Sequence, residues 1–199
     1  MTALGTVDLV LASTSRYRRE LLTRLTDRFR CVAPQVDETA HPGEAPAALA
    51  ARLAEAKARA VATACPHALV LGSDQVADLD GRIFGKPGSV AAAIEQLRAC
   101  AGRELLFHTA LCLIDNRGHA AQAHAAIDTT RVRLRRLDVE EITRYVEREQ
   151  PLDCAGSFKA EGLGIALFER IDSSDPTALI GLPLIALCRL LRNCGVHAL

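Results

Sequence analysis

The hydrophobic and polar positions are most sharply divided around residues 68–72, where an unbroken apolar run gives way to polar residues. A continuous apolar run of this length is typical of a strand covered on both faces, as in an α/β sheet. Gly72, Ser73 and Asp74 lie at its carboxyl end, where open α/β sheets place their ligands. Asp74 is therefore a candidate site residue, although an acid at this position can also simply cap the strand.

The same pattern predicts a hairpin immediately afterwards. Residues 76–77 and 83–84 are apolar, and the polar segment between them ends in Asp80-Gly81, a strong signal for a tight turn. The returning strand would carry Lys86 towards Asp74. The alternative is that Lys86 is only a solvated turn residue.

Near the amino terminus, residues 8–12 predict a strand, and Ser13, Thr14 and Ser15 then open a helix that reaches about residue 25. A hydroxyl at a helix N-cap accepts a hydrogen bond from the first turn, while the other free N–H groups and the helix dipole favour phosphate. Three arginines add positive charge at this helix end: Arg16, Arg18 and Arg19. The segment therefore predicts an anion site, with an ordinary capped helix and a solvated basic face as the alternative.

The remaining elements follow from hydrophobic periodicity and from glycine and proline positions. They are a strand at residues 29–33, helices at 45–64 and 90–101, strands at 105–115 and 120–137, a helix at 139–149 and a buried closing helix at 178–191. Glu38 lies in the loop before the first of these helices, and Lys57 lies on that helix. Three glycines surround Lys159 and Glu161, which lets a ligand approach the backbone closely. The alternation of strands and helices is typical of an α/β fold and is compatible with two lobes.

Lysine is almost absent from the chain. Of the 24 lysine and arginine residues only three are lysines, namely Lys57, Lys86 and Lys159. A lysine against that background suggests a site that needs a compact ammonium group instead of a guanidinium, and contact with phosphate is the obvious case.

The rest of the composition restricts the function classes. The formal net charge at pH 7 is +0, and no basic stripe with interleaved aromatic residues indicates a nucleic-acid polymer as partner. The seven cysteines form no C-x-x-C pair and no zinc-type cluster, so we expect reduced, mostly buried thiols in a cytoplasmic protein. The amino-terminal sequence has no secretory signal pattern, and no apolar run approaches the roughly 18 residues of a membrane span. These features favour a soluble protein with a small-molecule ligand.

Taken together, the motifs resemble those of the Maf family, and within it those of the YceF-type subgroup of 7-methyl-GTP pyrophosphatases. They are LASTSRYRRELL from Leu11, VDE from Val36, GSDQV from Gly72, LDGRIFGKP from Leu79, CAGSFKAEG from Cys154, LFERI from Leu167 and LIGLPLIALC from Leu179. The resemblance implies one domain over residues 1–199 with an α/β fold of the Maf and inosine-triphosphatase type, in which a mixed sheet bends into two lobes around a nucleotide cleft. It also implies hydrolysis of a nucleoside triphosphate to the monophosphate and diphosphate, with a divalent cation such as Mg, Mn or Co as cofactor.

By position in these motifs, Asp74 resembles the proton acceptor of the family. The other implied site residues are Ser13, Arg18, Lys57 and Lys86 for phosphate, Glu38 together with Asp74 for the metal, and Tyr17, Gln75 and Glu161 for base specificity. The sequence departs from the pattern of the subgroup at two positions that concern base recognition. Tyr17 stands where the subgroup can carry a larger aromatic residue, and Arg16 adds a charge beside it.

Several alternatives stay open at this point. A dTTP or UTP pyrophosphatase is the nearest one, and the GSDQ and FKAEG motifs argue against it. A nucleotide-sensing regulator of septum formation belongs to a different class, since the family has also been linked to inhibition of septation. From the residues alone, Glu161 can also be an exposed partner of Lys159, and Tyr17 a packing residue. The sequence leaves homodimerisation open.

Overall fold

The computed structural model of the chain describes residues 2–199 and has a mixed sheet at its centre. Its strands are β1 (Thr2–Ala3), β2 (Leu9–Leu11), β3 (Arg30–Cys31), β4 (Leu69–Leu79), β5 (Arg82–Phe84), β6 (Glu104–Asp115), β7 (Gln122–Leu134), β8 (Phe168–Asp172) and β9 (Val196–His197). Its α-helices are α1 (Arg16–Leu22), α2 (Pro46–Ala62), α3 (Val90–Cys100), α4 (Val139–Glu149) and α5 (Leu184–Asn193). Short 3₁₀ helices cover Leu4–Thr6, Ala155–Ser157 and Leu163–Leu167.

Seven of these strands form one sheet in the order β3-β2-β4-β6-β7-β8, with β5 also paired to β4. Strands β2, β3 and β4 run parallel, while the pairs β4–β6, β6–β7 and β7–β8 are antiparallel. This mixed architecture confirms the predicted α/β class. The division of one domain into two lobes stays a prediction.

Strand β4 changes its partner along one edge. Its first residues pair with β2, its last residues pair with β5, and β6 runs along the opposite edge from Leu69 to Asp78. Among residues 2–199, positions 72–76 of β4 therefore have a strand neighbour on the β6 side only. The sheet is split at this point, and Asp74 lies in the split.

The two faces of the sheet are covered by different helices, because successive side chains of a strand point to opposite faces. Helix α2 covers one face, where its buried alanines and leucines pack on Val70 and Val76 of β4. The other face is covered over its first half by α1 and α5, and over its second half by α3 and α4. The core on this second face is thus divided at the same place at which the edge of β4 is split.

Gly72 brings helix α2 into direct contact with β4. A Cβ atom at this position would lie 2.2 Å from the carbonyl oxygen of Ala54 and 2.6 Å from the amide nitrogen of Ala58. Only glycine fits without displacing the helix, since such distances are far inside van der Waals contact. The close approach places Lys57 of α2 beside Asp74 of β4.

The predicted hairpin is confirmed. Asp80 and Gly81 both have positive φ, 52° and 84°, as the favoured two-residue turn requires. The strand predicted at residues 68–72 is longer than expected, because β4 continues without a break to Leu79. The helix predicted to reach about residue 25 ends at Leu22, and the strand predicted at 29–33 is reduced to Arg30–Cys31.

The prediction of a closing helix over residues 178–191 was wrong for its first part, since α5 begins at Leu184. Residues 177–181 instead form turns, in which the amide of Gly181 donates to the carbonyl of Ala178. Gly181 has φ +126°, outside the helical region, and Pro183 disfavours helical backbone at the residue before it. An apolar run of helical length therefore contains a turn followed by a shorter helix.

No helix among residues 2–199 is long and apolar enough to cross a membrane. All seven cysteines are free thiols, but only Cys65, Cys100 and Cys112 are fully buried. The expectation of mostly buried thiols was wrong for Cys31, which is exposed because it lies on the edge strand β3.

Candidate active site

A cavity of about 670 Å³ lies where the edge of β4 is split. Its wall contains all nine residues that the sequence proposed for a site: Ser13, Tyr17, Arg18, Glu38, Lys57, Asp74, Gln75, Lys86 and Glu161. They come from the start of α1, the loop before α2, helix α2, strand β4, the loop after β5 and the segment before β8. The fold thus brings together residues from six separate parts of the chain, while their individual roles stay predictions.

Two carboxylates meet one ammonium group at the base of the cavity. The Nζ atom of Lys57 lies 2.6 Å from Oδ1 of Asp74 and 2.8 Å from Oε1 of Glu38. Lys57 and Asp74 are buried, with 5% and 7% of their surface exposed, whereas the Glu38 side chain is largely exposed. The cluster therefore runs from the protein interior to the cavity opening.

The loop that carries Glu38 is fixed to helix α2 by Arg52. Its guanidinium donates to both carboxylate oxygens of Glu44, at 2.7 and 2.8 Å, and to the carbonyl of Thr39 at 3.0 Å. These hydrogen bonds from Arg52 lower the pKa of Glu44 to about 2. A bidentate pair of this kind has a defined geometry, so it holds the loop next to Lys57.

The hydroxyl-rich turn before α1 is used for capping, as predicted. The Oγ atom of Ser15 accepts from the amide of Arg18 at 3.4 Å, and Oγ of the buried Ser13 accepts from the amide of Ser15 at 3.1 Å. A hydroxyl that accepts one hydrogen bond can still donate its own hydrogen. Ser13 can therefore donate to an anion in the cavity.

Arg18 and Ser73 together hold the turn that precedes α5. The Nε atom of Arg18 donates to the carbonyl of Gly181 at 2.9 Å, and Oγ of Ser73 lies 3.1 Å from the same oxygen. Burial lowers the pKa of the Arg18 guanidinium, whereas the nearby charges of Asp74 and Glu38 raise it. One edge of the guanidinium is engaged by the turn, and the side chain also forms part of the cavity wall.

Gln75 is tied to the same turn. Its Nε2 atom donates to the carbonyls of Ala178 and Leu179, both at 3.0 Å, and to Oγ1 of Thr109 at 2.9 Å. These protein acceptors occupy the two amide hydrogens of Gln75. The amide oxygen is therefore the atom through which Gln75 can contact a ligand, and it can only accept.

Tyr17 has polar partners from its own helix and from the segment around residues 153–154. The guanidinium of Arg16 lies 4.7 Å from the centre of the Tyr17 ring, and its Nη2 atom donates to the phenolic oxygen at 2.6 Å. The same oxygen lies 3.5 Å from a carboxylate oxygen of Asp153 and 3.5 Å from Sγ of Cys154. Burial raises the pKa of the Tyr17 hydroxyl and raises that of the Cys154 thiol to about 11, so both are neutral at pH 7.

Sequence reasoning did not identify Asp153, Cys154 or Gly181 as parts of the cavity wall. Asp153 and Tyr17 lie 136 positions apart, and no spacing rule connects residues at such a separation. The Gly181 signal was present, since a glycine two residues before a proline is typical of a turn, but the surrounding apolar residues favoured a helix.

Lys159 and Glu161 are not partners of each other. The Nζ atom of Lys159 donates to the carbonyl of Glu149 at 2.7 Å and lies 3.6 Å from a carboxylate oxygen of the same residue. Glu161 is left with an exposed side chain in the cavity wall. Lys86 is also exposed there, so two of the three lysines line the cavity and the third does not.

The split mixed sheet and the polar cavity within it define an α/β protein with a ligand-sized site rich in carboxylate and basic groups. The sequence pattern of the family described as "Maf-like protein" matches residues 8–194. The chain therefore belongs to the Maf family.

Its relatives cover nearly the full length. A protein of Xanthomonas oryzae pv. oryzae is 59% identical over 189 residues, which are 95% of this chain and 97% of the relative. A protein of Burkholderia mallei is 58% identical over 190 residues, which are 94% of this chain and 87% of the relative. Both relatives are named 7-methyl-GTP pyrophosphatase. Among solved structures, the Ham1 protein of Staphylococcus aureus matches with a TM-score of 0.46 and 18% identity over 64% of this chain and 71% of that one.

Proposed function

We propose that the chain hydrolyses 7-methyl-GTP to 7-methyl-GMP and diphosphate. One observation carries the proposal: a single cavity is lined by the cluster of Lys57 with its carboxylates, by further basic side chains, by the exposed carboxylate of Glu161 and by the aromatic ring of Tyr17. The names of relatives that are 59% identical over 95% of the chain support the choice of substrate.

The triphosphate is bound by the basic wall of the cavity. Arg18 and Lys86 supply charge, and Ser13 and the first turn of α1 supply hydrogen-bond donors. Phosphoryl transfer needs mainly positioning and neutralisation of the phosphate chain, because the protein contributes little covalent chemistry. Ammonium, guanidinium and hydroxyl donors on a rigid frame meet that need.

Asp74 is the group that accepts the proton of the attacking water. It is fixed by Lys57 at 2.6 Å and lies in the split of the sheet, where a phosphate chain and a water can both reach it. A positioned general base of this kind contributes typically 10² to 10⁴ in rate.

A divalent cation is the cofactor that the donor set supports. Oxygens of Glu38 and Asp74 both lie within 3 Å of a single cationic atom, Nζ of Lys57, so the two carboxylates already converge on a positive charge. Two converging carboxylates suit Mg²⁺, which typically takes one or two carboxylates and completes its shell with water and substrate phosphates. When bound, such a cation neutralises charge on the phosphates.

The base is recognised by Glu161, Gln75 and Tyr17. Methylation at N7 gives guanine a delocalised positive charge that GTP, dTTP and UTP do not carry. The carboxylate of Glu161 favours that charge, and the amide oxygen of Gln75 can accept from a guanine N–H group. An aromatic face such as that of Tyr17 attracts a cationic ring.

The products test the reaction type. With 7-methyl-GTP as substrate, anion-exchange chromatography should show 7-methyl-GMP and diphosphate in equal amounts. In water labelled with ¹⁸O, the label should enter the monophosphate if the α-phosphorus is attacked and the diphosphate if the β-phosphorus is attacked. Release of orthophosphate with 7-methyl-GDP would contradict the proposed reaction.

The two alternatives are separated by the same assay. A dTTP or UTP pyrophosphatase would turn over the pyrimidine nucleotides faster, and a regulator that only senses nucleotides would bind them without turnover.

We further infer a cytoplasmic location, which the seven free thiols support.

A further inference from the structure

The permanently charged guanidinium of Arg16 lies against the aromatic ring of Tyr17, which is proposed to bind the base. The guanidinium lies 4.7 Å from the centre of the Tyr17 ring, within the range of about 6 Å in which a cation is attracted to an aromatic face. A hydrogen bond of 2.6 Å from Arg16 to the phenolic oxygen fixes it there. Both side chains line the cavity.

Asp153, which comes from a distant part of the chain, contacts both of these side chains. Its carboxylate lies 3.8 Å from the Arg16 guanidinium and 3.5 Å from the Tyr17 hydroxyl. The guanidinium is thus placed by two contacts from different elements, since Arg16 and Tyr17 belong to α1 and Asp153 precedes the 3₁₀ helix Ala155–Ser157. Arg16 is still largely exposed, so its position can respond to a ligand.

A cationic base and Arg16 compete for one aromatic ring. If both lie on the same face of the Tyr17 ring, one excludes the other. If they lie on opposite faces, both are attracted to the same aromatic quadrupole and they repel each other as like charges. A neutral guanine stacks on Tyr17 without the repulsion. The attraction of Arg16 for the triphosphate is equal for both nucleotides and therefore cancels when the two are compared.

We propose that Arg16 is a specificity-determining residue, which weakens the preference of the cavity for a cationic base relative to a neutral one. The proposal rests on the function proposed above and assigns to this chain a narrower discrimination between 7-methyl-GTP and GTP than Tyr17 and Glu161 alone would give. Asp153 limits the effect by compensating the charge of Arg16.

The test is the ratio of kcat/KM for 7-methyl-GTP to kcat/KM for GTP. In Arg16→Gln the ratio should rise about two- to five-fold, the range expected for a cation at an exposed aromatic site. In Asp153→Asn it should fall, because the substitution removes a cavity carboxylate that both compensates Arg16 and attracts a cationic base. Arg24→Gln is the matched control, since Arg24 is an exposed arginine just after the same helix and outside the cavity wall, and its ratio should equal that of the unmodified protein.

The corresponding binding preference is measured without turnover, as the dissociation constant of GMP divided by that of 7-methyl-GMP. A ratio that is unchanged or lower in Arg16→Gln would overturn the proposal. A ratio that changes in the same direction in Arg16→Gln and in Asp153→Asn would also overturn it, because it would indicate altered packing. If the unmodified protein does not hydrolyse 7-methyl-GTP, the proposed function fails, while the binding ratio still decides the role of Arg16.

Discussion

At the scale of single residues, the contact between Lys57 and Asp74 links the fold to the proposed chemistry. Both side chains are buried, and they meet at 2.6 Å inside a cavity that is otherwise open to solvent. Removing one partner of a buried pair leaves the other charge uncompensated, which is costly. Glu38 lies 2.8 Å from the same Nζ atom and still compensates Lys57 when Asp74 loses its charge, so a substitution of Asp74 that retains shape can separate chemistry from folding.

Asp74→Asn should lower kcat by about 10² to 10⁴ and leave the fold intact, because the amide keeps the shape but cannot accept a proton. Steady-state kinetics on 7-methyl-GTP measures the effect, and circular dichroism checks folding. Asp78→Asn is the control, since Asp78 is equally buried on the same strand, with 8% of its surface exposed, but lies outside the cavity wall. Near-normal turnover by folded Asp74→Asn would show that Asp74 has only a structural role.

Glu161→Gln should reduce kcat/KM for 7-methyl-GTP much more than for GTP, because glutamine keeps the size and hydrogen-bonding capacity but removes the charge. Glu147→Gln serves as control, since Glu147 is exposed on α4 and does not line the cavity. Equal losses on both nucleotides would contradict charge recognition and place Glu161 in the fold or in phosphate binding.

The sequence predicted the composition of the cavity wall better than the contacts within it. All nine predicted residues line the cavity. They could be predicted because they belong to motifs with a recognisable pattern. The pairing of Lys159 with Glu149 and the engagement of the Gln75 amide by the turn at Ala178 were not predictable. Both depend on which distant backbone segments the fold brings within hydrogen-bonding distance.

At the scale of secondary structure, the packing of α2 on β4 decides where Lys57 lies. The two elements touch at Gly72, where an added Cβ would come within 2.2 Å of a backbone oxygen of the helix. Backbone atoms cannot yield as a flexible side chain can, so any larger residue must displace α2.

Gly72→Ala should destabilise the protein by about 1–3 kcal/mol, the usual cost of overpacking, and should lower turnover because Lys57 moves away from Asp74. Denaturant unfolding and kinetics on the same samples measure the two effects. Gly118→Ala is a matched control, since its Cβ would meet no atom closer than 3.8 Å. Unchanged stability and activity in Gly72→Ala would show that α2 can shift without consequence for the site.

Helix and strand identities were largely predictable because hydrophobic periodicity dominates them. The helix α4 was predicted with the bounds observed, Val139–Glu149, since an amphipathic pattern and a following proline agree. The structure adds a capping box at its start, formed by Asp138 and Glu141. The closing helix failed at residues 178–183, where carbonyls that a helix would use internally accept instead from Gln75, Ser73 and Arg18. Tertiary hydrogen bonds overrode the local pattern there.

At the scale of the whole molecule, the split edge of β4 creates the cavity. Strands β2 and β5 occupy the two ends of one edge, and the polar residues 73–75 remain between them. The sequence predicted the α/β class but not the strand order, because pairing between β2, β4 and β6 joins segments that lie far apart along the chain. Family resemblance supplied the expectation of a mixed sheet that local patterns do not contain.

The central claim is that this cavity cleaves a triphosphate whose base is a cation. The most direct test is to measure kcat/KM for 7-methyl-GTP, GTP, dTTP and UTP with the same preparation, by quantifying the diphosphate released. We expect 7-methyl-GTP to have the highest value, with diphosphate as the product. A higher value for dTTP or UTP, or no release of diphosphate from 7-methyl-GTP, would contradict the account.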